Sequence, residues 1–164
     1  MDAVLERARH IRLLALDVDG VLTDGRLYLS PTGEELKVFH VRDGSGLVAV
    51  QRAGIAVAII SGRDSAAVSR RAAELGIRHV RQGVVDKGAE LDRLLAELAV
   101  EPVETACVGD DTPDLPMLRR AGLAVGVADA HPALLEAAHW ITRAPGGRGA
   151  VREVCDLLLS ARAA

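Results

Sequence analysis

Asp17-Val18-Asp19-Gly20 closes an apolar run that begins at Ile11. Two acids spaced by two on a strand point the same way, and the glycine then lets the backbone turn. Carboxylates so placed after a buried strand repel one another unless a cation or proton joins them; the alternative is a solvated loop closed by an Asx turn. Three further segments carry groups of complementary kinds. Ser61-Gly62-Arg63 offers a hydroxyl and free amides ahead of a helix, an anion cradle, although Ser-Gly is also a common turn pair. Lys87 stands at a helix start, where the dipole disfavours a cation unless an anion compensates it; otherwise it is exposed and idle. The chain has two lysines, Lys37 and Lys87, against eighteen arginines, so lysine is not generic surface charge here. Gly109-Asp110-Asp111-Thr112-Pro113-Asp114 forms either a hard oxygen site suited to Mg²⁺ or an acidic helix cap. Together these are the parts phosphoryl transfer needs: acids for a metal, a second acid for a proton, a hydroxyl and amides for phosphate oxygens, and a lysine for their charge.

The elements that must position them follow from alternating patterns. Near-continuous apolar runs predict strands at 11–18, 55–61, 79–82, 105–109 and 124–127, with a short one at 140–141. Between them, 64–75 reads as a helix ended by Gly76, Asp86 as the N-cap of a helix to about 99, Thr112-Pro113 as a helix start, and 150–161 as a last helix. Strands alternating with helices give an α/β, doubly wound parallel sheet, whose ligands bind at the carboxyl ends of the strands. Every motif above lies at such an end. Residues 26–39 break the alternation and read as an inserted β-hairpin around Ser30-Pro31-Thr32-Gly33. With no repeat or linker, 1–164 is expected to be a single domain.

Composition narrows the partners. A net charge of −3 and 2% aromatic residues supply neither a basic footprint nor stacking rings, so no nucleic-acid partner is expected. The apolar runs fall short of the ~20 residues of a membrane span, and the amino end mixes acids and bases, which predicts a cytoplasmic protein with no membrane partner. Cys107 and Cys155 lie far apart among apolar neighbours and read as reduced filler.

The set Asp17-x-Asp19-Gly20, Ser61-Gly62, Lys87 and Gly109-Asp110-Asp111-x-x-Asp114 resembles the four motifs of the haloacid dehalogenase (HAD) superfamily of phosphatases. More narrowly, Asp17-Val-Asp-Gly-Val-Leu-Thr-Asp-Gly25, His40-Val-Arg-Asp-Gly44, Ser61-Gly-Arg63 and the run Gly146-Gly-Arg-Gly-Ala-Val-Arg-Glu-Val-Cys-Asp156 are similar to the 3-deoxy-D-manno-octulosonate (KDO) 8-phosphate phosphatase family over nearly the whole length.

The resemblance implies a Rossmann-like (HAD-like) fold without a cap domain and a Mg²⁺-dependent phosphomonoester hydrolase in lipopolysaccharide precursor synthesis. Asp17 would be the nucleophile that forms an aspartyl-phosphate, and Asp19 the acid and base. Mg²⁺ would be held by Asp17, the Asp19 carbonyl and Asp110, with Asp111 and Asp114 orienting this shell. Ser61, Gly62 and Lys87 would hold phosphoryl oxygens; His40, Val41, Arg42, Asp43, Gly44, Arg63 and Arg71 would meet the sugar acid or phosphate. Val48 stands where relatives often carry Arg or Lys, and Arg63 favours an eight-carbon over a nine-carbon sugar acid. The hairpins would assemble a homotetramer in which a neighbouring subunit covers each site. Gly146-Gly147-Arg148-Gly149 would be a flap or simply a flexible lead into the last helix. The rival readings are a phosphatase for another sugar acid or small phosphomonoester, a silent binding module, and a phosphoacceptor resembling a response regulator.

Overall fold

β1 (Leu13–Leu16) is buried along its whole length and forms the centre of a six-stranded parallel sheet. The computed structural model describes residues 1–163. The sheet order is β5 (His79–Arg81), β4 (Ala56–Ile60), β1, β6 (Thr105–Gly109), β7 (Leu123–Gly126) and β8 (Trp140–Ile141). Leu, Ile and Val dominate the central strands because both faces are covered by helices. From β1 the chain builds outward to β4 and β5, then returns to β6 on the opposite side of β1. The resulting switch point lies between the carboxyl ends of β1 and β6, the usual crevice of open α/β sheets.

Register fixes which residues emerge there. Leu16 stands opposite Ile59 and Val108, so Asp17 is level with Ile60 and Gly109. Ser61 and Asp110 therefore leave the neighbouring strands one residue beyond it.

The helices are α1 (Asp2–Arg9), α2 (Val41–Arg52), α3 (Ala66–Glu74), α4 (Lys87–Leu98), α5 (Leu115–Leu118), α6 (Pro132–Ala137) and α7 (Ala150–Ala163). α3, α4, α7 and the helical turn begun at Thr112-Pro113 match the sequence expectation, and Asp86 caps α4 through a hydrogen bond from the Ala89 amide at 3.0 Å. The sequence reading did not anticipate α1, α2 or α6. α2 packs against α7 with Gly44 and Gly46 in its interior, residues that weaken helix propensity but allow close approach: a β-carbon on Gly46 would lie 3.0 Å from Cys155 Cβ. Leu14, Leu16, Leu47, Ile60, Leu91 and Leu94 are among the fully buried side chains, each stabilising the fold by about 1.5–3 kcal/mol.

The insert is a hairpin as expected: β2 (Tyr28–Leu29) pairs antiparallel with β3 (Glu35–Leu36), and the Gly33 amide donates to the Ser30 carbonyl at 3.0 Å in the turn. Leu29 and Leu36 are each 66% exposed, so this arm carries an uncovered apolar surface. Among the described residues there is no separate cap domain, and no helix is long and apolar enough to cross a membrane.

Candidate active site

The Asp17 amide continues the ladder of β1 to the Val108 carbonyl at 3.1 Å, which fixes the root of its side chain. The chain then closes on itself: the amides of Val21, Leu22 and Thr23 all converge on the Val18 carbonyl at 2.9–3.1 Å. Gly20 sits at φ +92°, and a β-carbon there would come within 2.0 Å of Asp110 Oδ2. Glycine thus serves two needs, a left-handed turn and the close approach of the acid from β6.

Asp17 and Asp19 both face a cleft of about 360 Å³ that also receives Ser61, Gly62, Arg63, Lys87 and Asp110. Lys87, the first residue of α4, is buried rather than idle. Its ammonium donates to Asp17 Oδ1 at 2.7 Å and to Asp114 Oδ1 at 2.6 Å. Burial alone would lower its pKa, but the two carboxylates outweigh that and raise it. They also offset the unfavourable position of a cation at a helix start.

Asp17, Asp110 and Asp114 bring carboxylate oxygens within 4.8 Å of one another. Burial, reinforced by Asp114, pushes Asp17 up to about 6; burial with repulsion from Asp17, Asp114 and Asp111 pushes Asp110 up to about 8. Carboxylates this reluctant to ionise, packed together, are suited to a hard divalent cation, which relieves both penalties. Asp114 is already committed: Oδ1 takes Lys87, and Oδ2 accepts from the Asp110 and Asp111 amides at 3.0 and 3.4 Å.

On the other wall, Ser61 is buried, its amide pairing with the Arg81 carbonyl at 2.8 Å, and its hydroxyl and the exposed Gly62 border the cleft. Arg63 reaches across to Glu35 of the hairpin at 3.0 Å and lies 3.6 Å from Asp19 Oδ2. Lys37 and Glu35, which the sequence reading did not single out, complete this side: the Lys37 ammonium bonds Asp19 Oδ1 and lies 2.7 Å from Glu35. The available signal was the scarcity of lysine and the i, i+2 spacing that puts 35 and 37 on one side of a hairpin arm.

The remaining expected substrate contacts lie elsewhere. His40 caps α2 by accepting from the Arg42 amide at 3.2 Å, and Val41 and Arg42 are exposed on the first turn. Asp43 and Gly44 are both buried. Asp43 Oδ1 accepts from the Arg152 amide at 2.8 Å near the start of α7, and burial raises its pKa. The Arg71 guanidinium lies where a β-carbon on Gly44 would be 2.3 Å from it, so glycine makes room for that arginine. His40, Asp43, Gly44 and Arg71 border a narrow, partly open space of about 10 Å³, room for a single water.

Residues 79–151 match the model of haloacid dehalogenase-like hydrolases. The parallel sheet, its switch-point cleft and the acid-lysine cluster are those of that hydrolase class. The chain is 52% identical over 161 residues to 3-deoxy-D-manno-octulosonate 8-phosphate phosphatase KdsC of Yersinia pestis, spanning 98% of this chain and 86% of that protein. It superposes with a TM-score of 0.98 on the phosphatase of the same name from Moraxella catarrhalis, solved with magnesium ion, phosphate ion and KDO; identity is 45%, covering 99% of this chain and 94% of that one. The cobalt-bound deoxy-D-mannose-octulosonate 8-phosphate phosphatase of Haemophilus influenzae gives a TM-score of 0.93 at 40% identity, covering 96% and 92%. This chain belongs to the 3-deoxy-D-manno-octulosonate 8-phosphate phosphatase family.

Proposed function

We propose that the protein is a Mg²⁺-dependent phosphatase that hydrolyses 3-deoxy-D-manno-octulosonate 8-phosphate to the free sugar acid and phosphate. The observation that carries this reading is the Lys87 ammonium fixed between Asp17 and Asp114, with Asp110 beside them and the Ser61-Gly62 turn opposite, in a family member. Asp17 attacks phosphorus in line and becomes an aspartyl-phosphate. Asp19 protonates the departing sugar oxygen and then takes a proton from the water that hydrolyses the intermediate. Asp17, the Asp19 carbonyl and Asp110 would hold Mg²⁺, which when bound offsets the repulsion between an anionic nucleophile and an anionic phosphate. Ser61, the Gly62 amide and Lys87 receive phosphoryl oxygens, and Arg63 at the rim is suited to the substrate carboxylate.

The same reading makes the enzyme a single-domain homotetramer in the cytoplasm, serving lipopolysaccharide precursor synthesis. The apolar hairpin arm supports assembly, and the two free buried thiols suit a reducing compartment. In such an assembly the exposed Val41 and Arg42 would complete the site of a neighbouring subunit, with Arg71, packed on Gly44 and paired with Glu74 at 3.4 Å, beneath them. Activity followed against protein concentration with sizing tests the tetramer, which a fully active monomer would exclude. The function is tested by phosphate release from a panel of phosphorylated sugar acids and simple phosphomonoesters, with and without Mg²⁺, Asp17→Asn serving as control. The eight-carbon substrate is expected to lead the panel; a nine-carbon ulosonate 9-phosphate in that place, or no turnover at all, would overturn the reading.

A further inference from the structure

The hairpin sends a charged group into the cleft. Lys37 follows β3, its side chain is 2% exposed, and its ammonium bonds Asp19 Oδ1 while lying 2.7 Å from Glu35 Oε1. Glu35 Oε2 accepts from Arg63 Nη2 at 3.0 Å, and Arg63 Nε lies 3.6 Å from Asp19 Oδ2. Asp19, Lys37, Glu35 and Arg63 thus form a closed ring of alternating charge, two anions and two cations. The ring is tight on one side of Asp19 and loose on the other: Oδ1 is hydrogen-bonded to a nearly dry ammonium, whereas 3.6 Å is too long for a hydrogen bond to Oδ2. A lysine this buried persists only when paired, and the adjacent Lys37 ammonium lowers the pKa of Glu35.

We propose that Lys37 is a positioning residue for the phosphatase reaction: it pins one oxygen of Asp19 so that the other is left to exchange the proton. This rests on the acid and base role proposed for Asp19. In the first half-reaction a bond forms between Asp17 and phosphorus, the bond from phosphorus to the ester oxygen breaks, and the Asp19 proton passes to that oxygen. In the second, water bonds to phosphorus as its proton returns to Asp19, and Asp17 is released. Without the ammonium, Asp19 Oδ1 loses its hydrogen-bond donor, and the cation left between Asp19 and Glu35 is Arg63, 3.6 Å from Asp19 Oδ2 and too far to fix the carboxyl group.

Leaving-group dependence tests this, because kcat/KM reports the first irreversible step and a p-nitrophenolate departs with little help from a proton. Wild type, Lys37→Met, Lys37→Arg and Asp19→Asn are compared on p-nitrophenyl phosphate, 3-deoxy-D-manno-octulosonate 8-phosphate and arabinose 5-phosphate, a sugar ester without a carboxylate. Lys37→Met is expected to lose about 30-fold or more on both sugar esters but less than about 3-fold on the aryl ester, part of the ~10²–10⁴-fold of general acid catalysis, with Lys37→Arg recovering most of it. Glu35→Gln, which keeps its size and frees the far side of Lys37, is expected to give the same ordering with smaller losses. Equal loss on all three esters, loss confined to the carboxylate-bearing one, or no loss overturns the proposal. Asp19→Asn separates the two levels: if it shows the leaving-group dependence and Lys37→Met does not, only this inference fails. If Asp19→Asn loses equally on aryl and sugar esters, the acid role fails and the inference with it.

Discussion

Gly146 packs on Gly20 so closely that a β-carbon at 146 would stand 1.7 Å from the Gly20 carbonyl oxygen. The neighbouring Gly147 amide donates to the Val21 carbonyl at 2.9 Å, and the Gly146 amide donates to Asp129 Oδ1 at 3.0 Å. The segment leading into α7 therefore buttresses the loop that follows Asp17. Asp43 secures the same helix from α2 through the Arg152 amide.

Gly146→Ala tests the buttress. The obstacle is backbone on both sides, so no flexible side chain can yield and the loop must shift. Overpacking of this kind costs about 1–3 kcal/mol, a fall in Tm of several degrees for a chain of this length. A misplaced Asp19 is expected to cost about 100-fold in kcat/KM as well. Thermal melts and steady-state kinetics measure both, and a fully active, equally stable variant would show that the loop does not depend on this contact.

Lys87→Met removes the one cation between Asp17 and Asp114. Breaking a buried pair by deleting one partner costs about 3–5 kcal/mol, because the carboxylates are left facing each other in a poorly solvated site. Activity is expected to fall about 10³-fold, the scale on which a single stabilising donor to developing charge is missed. The double variant Lys87→Met/Asp114→Asn removes one of the stranded charges and is expected to recover stability in melts without recovering activity. Recovery of both would mean that Lys87 serves the fold alone.

Asp43 supplies a pH dependence away from the acid cluster at the cleft. Burial raises its folded-state pKa above the unfolded value of 3.8, so between the two the folded protein binds the proton more tightly. The stability this contributes is full below pH 3.8 and is lost as pH rises through the folded value. Asp43→Asn keeps an oxygen for the Arg152 amide but does not titrate. The Tm of the variant minus that of the wild type is therefore expected to increase from pH 4 to pH 7; a difference that stays flat contradicts the assigned shift. Asp43→Ala, which loses the acceptor altogether, is expected to cost about 1 kcal/mol, as for a lost helix cap.

Much of this fold was legible because its signals are local. The strand at 105–109 is an apolar run stopped by Gly-Asp-Asp, and the helix before Gly76 ends as expected, with that glycine at φ +70°. Asp17, Ser61, Lys87 and Asp110 were legible as separate motifs; parallel register brings Asp17, Ser61 and Asp110 to the same end of the sheet, and the start of α4 delivers Lys87 beside them. α2 was not legible: Gly44 and Gly46 dilute its helical signal for reasons that exist only in three dimensions, Arg71 against one and Cys155 against the other. Asp43 entered the expected substrate contacts through the family resemblance alone, and its burial by the packing of α2 on α7 has no local signal in the sequence. Lys37 escaped because its partner Asp19 lies 18 positions away, and only the fold of the hairpin arm brings them together.

The central claim is that the Asp17 carboxylate itself becomes phosphorylated. The direct measurement is rapid acid quenching during turnover of 3-deoxy-D-manno-octulosonate 8-phosphate with Mg²⁺, followed by mass spectrometry of the peptide that contains residue 17. One phosphoryl group on Asp17 is expected, absent after chelation and absent in Asp17→Asn. Phosphate release with Asp17 unmodified at every quench time, or a phosphoryl group on another residue, would contradict it.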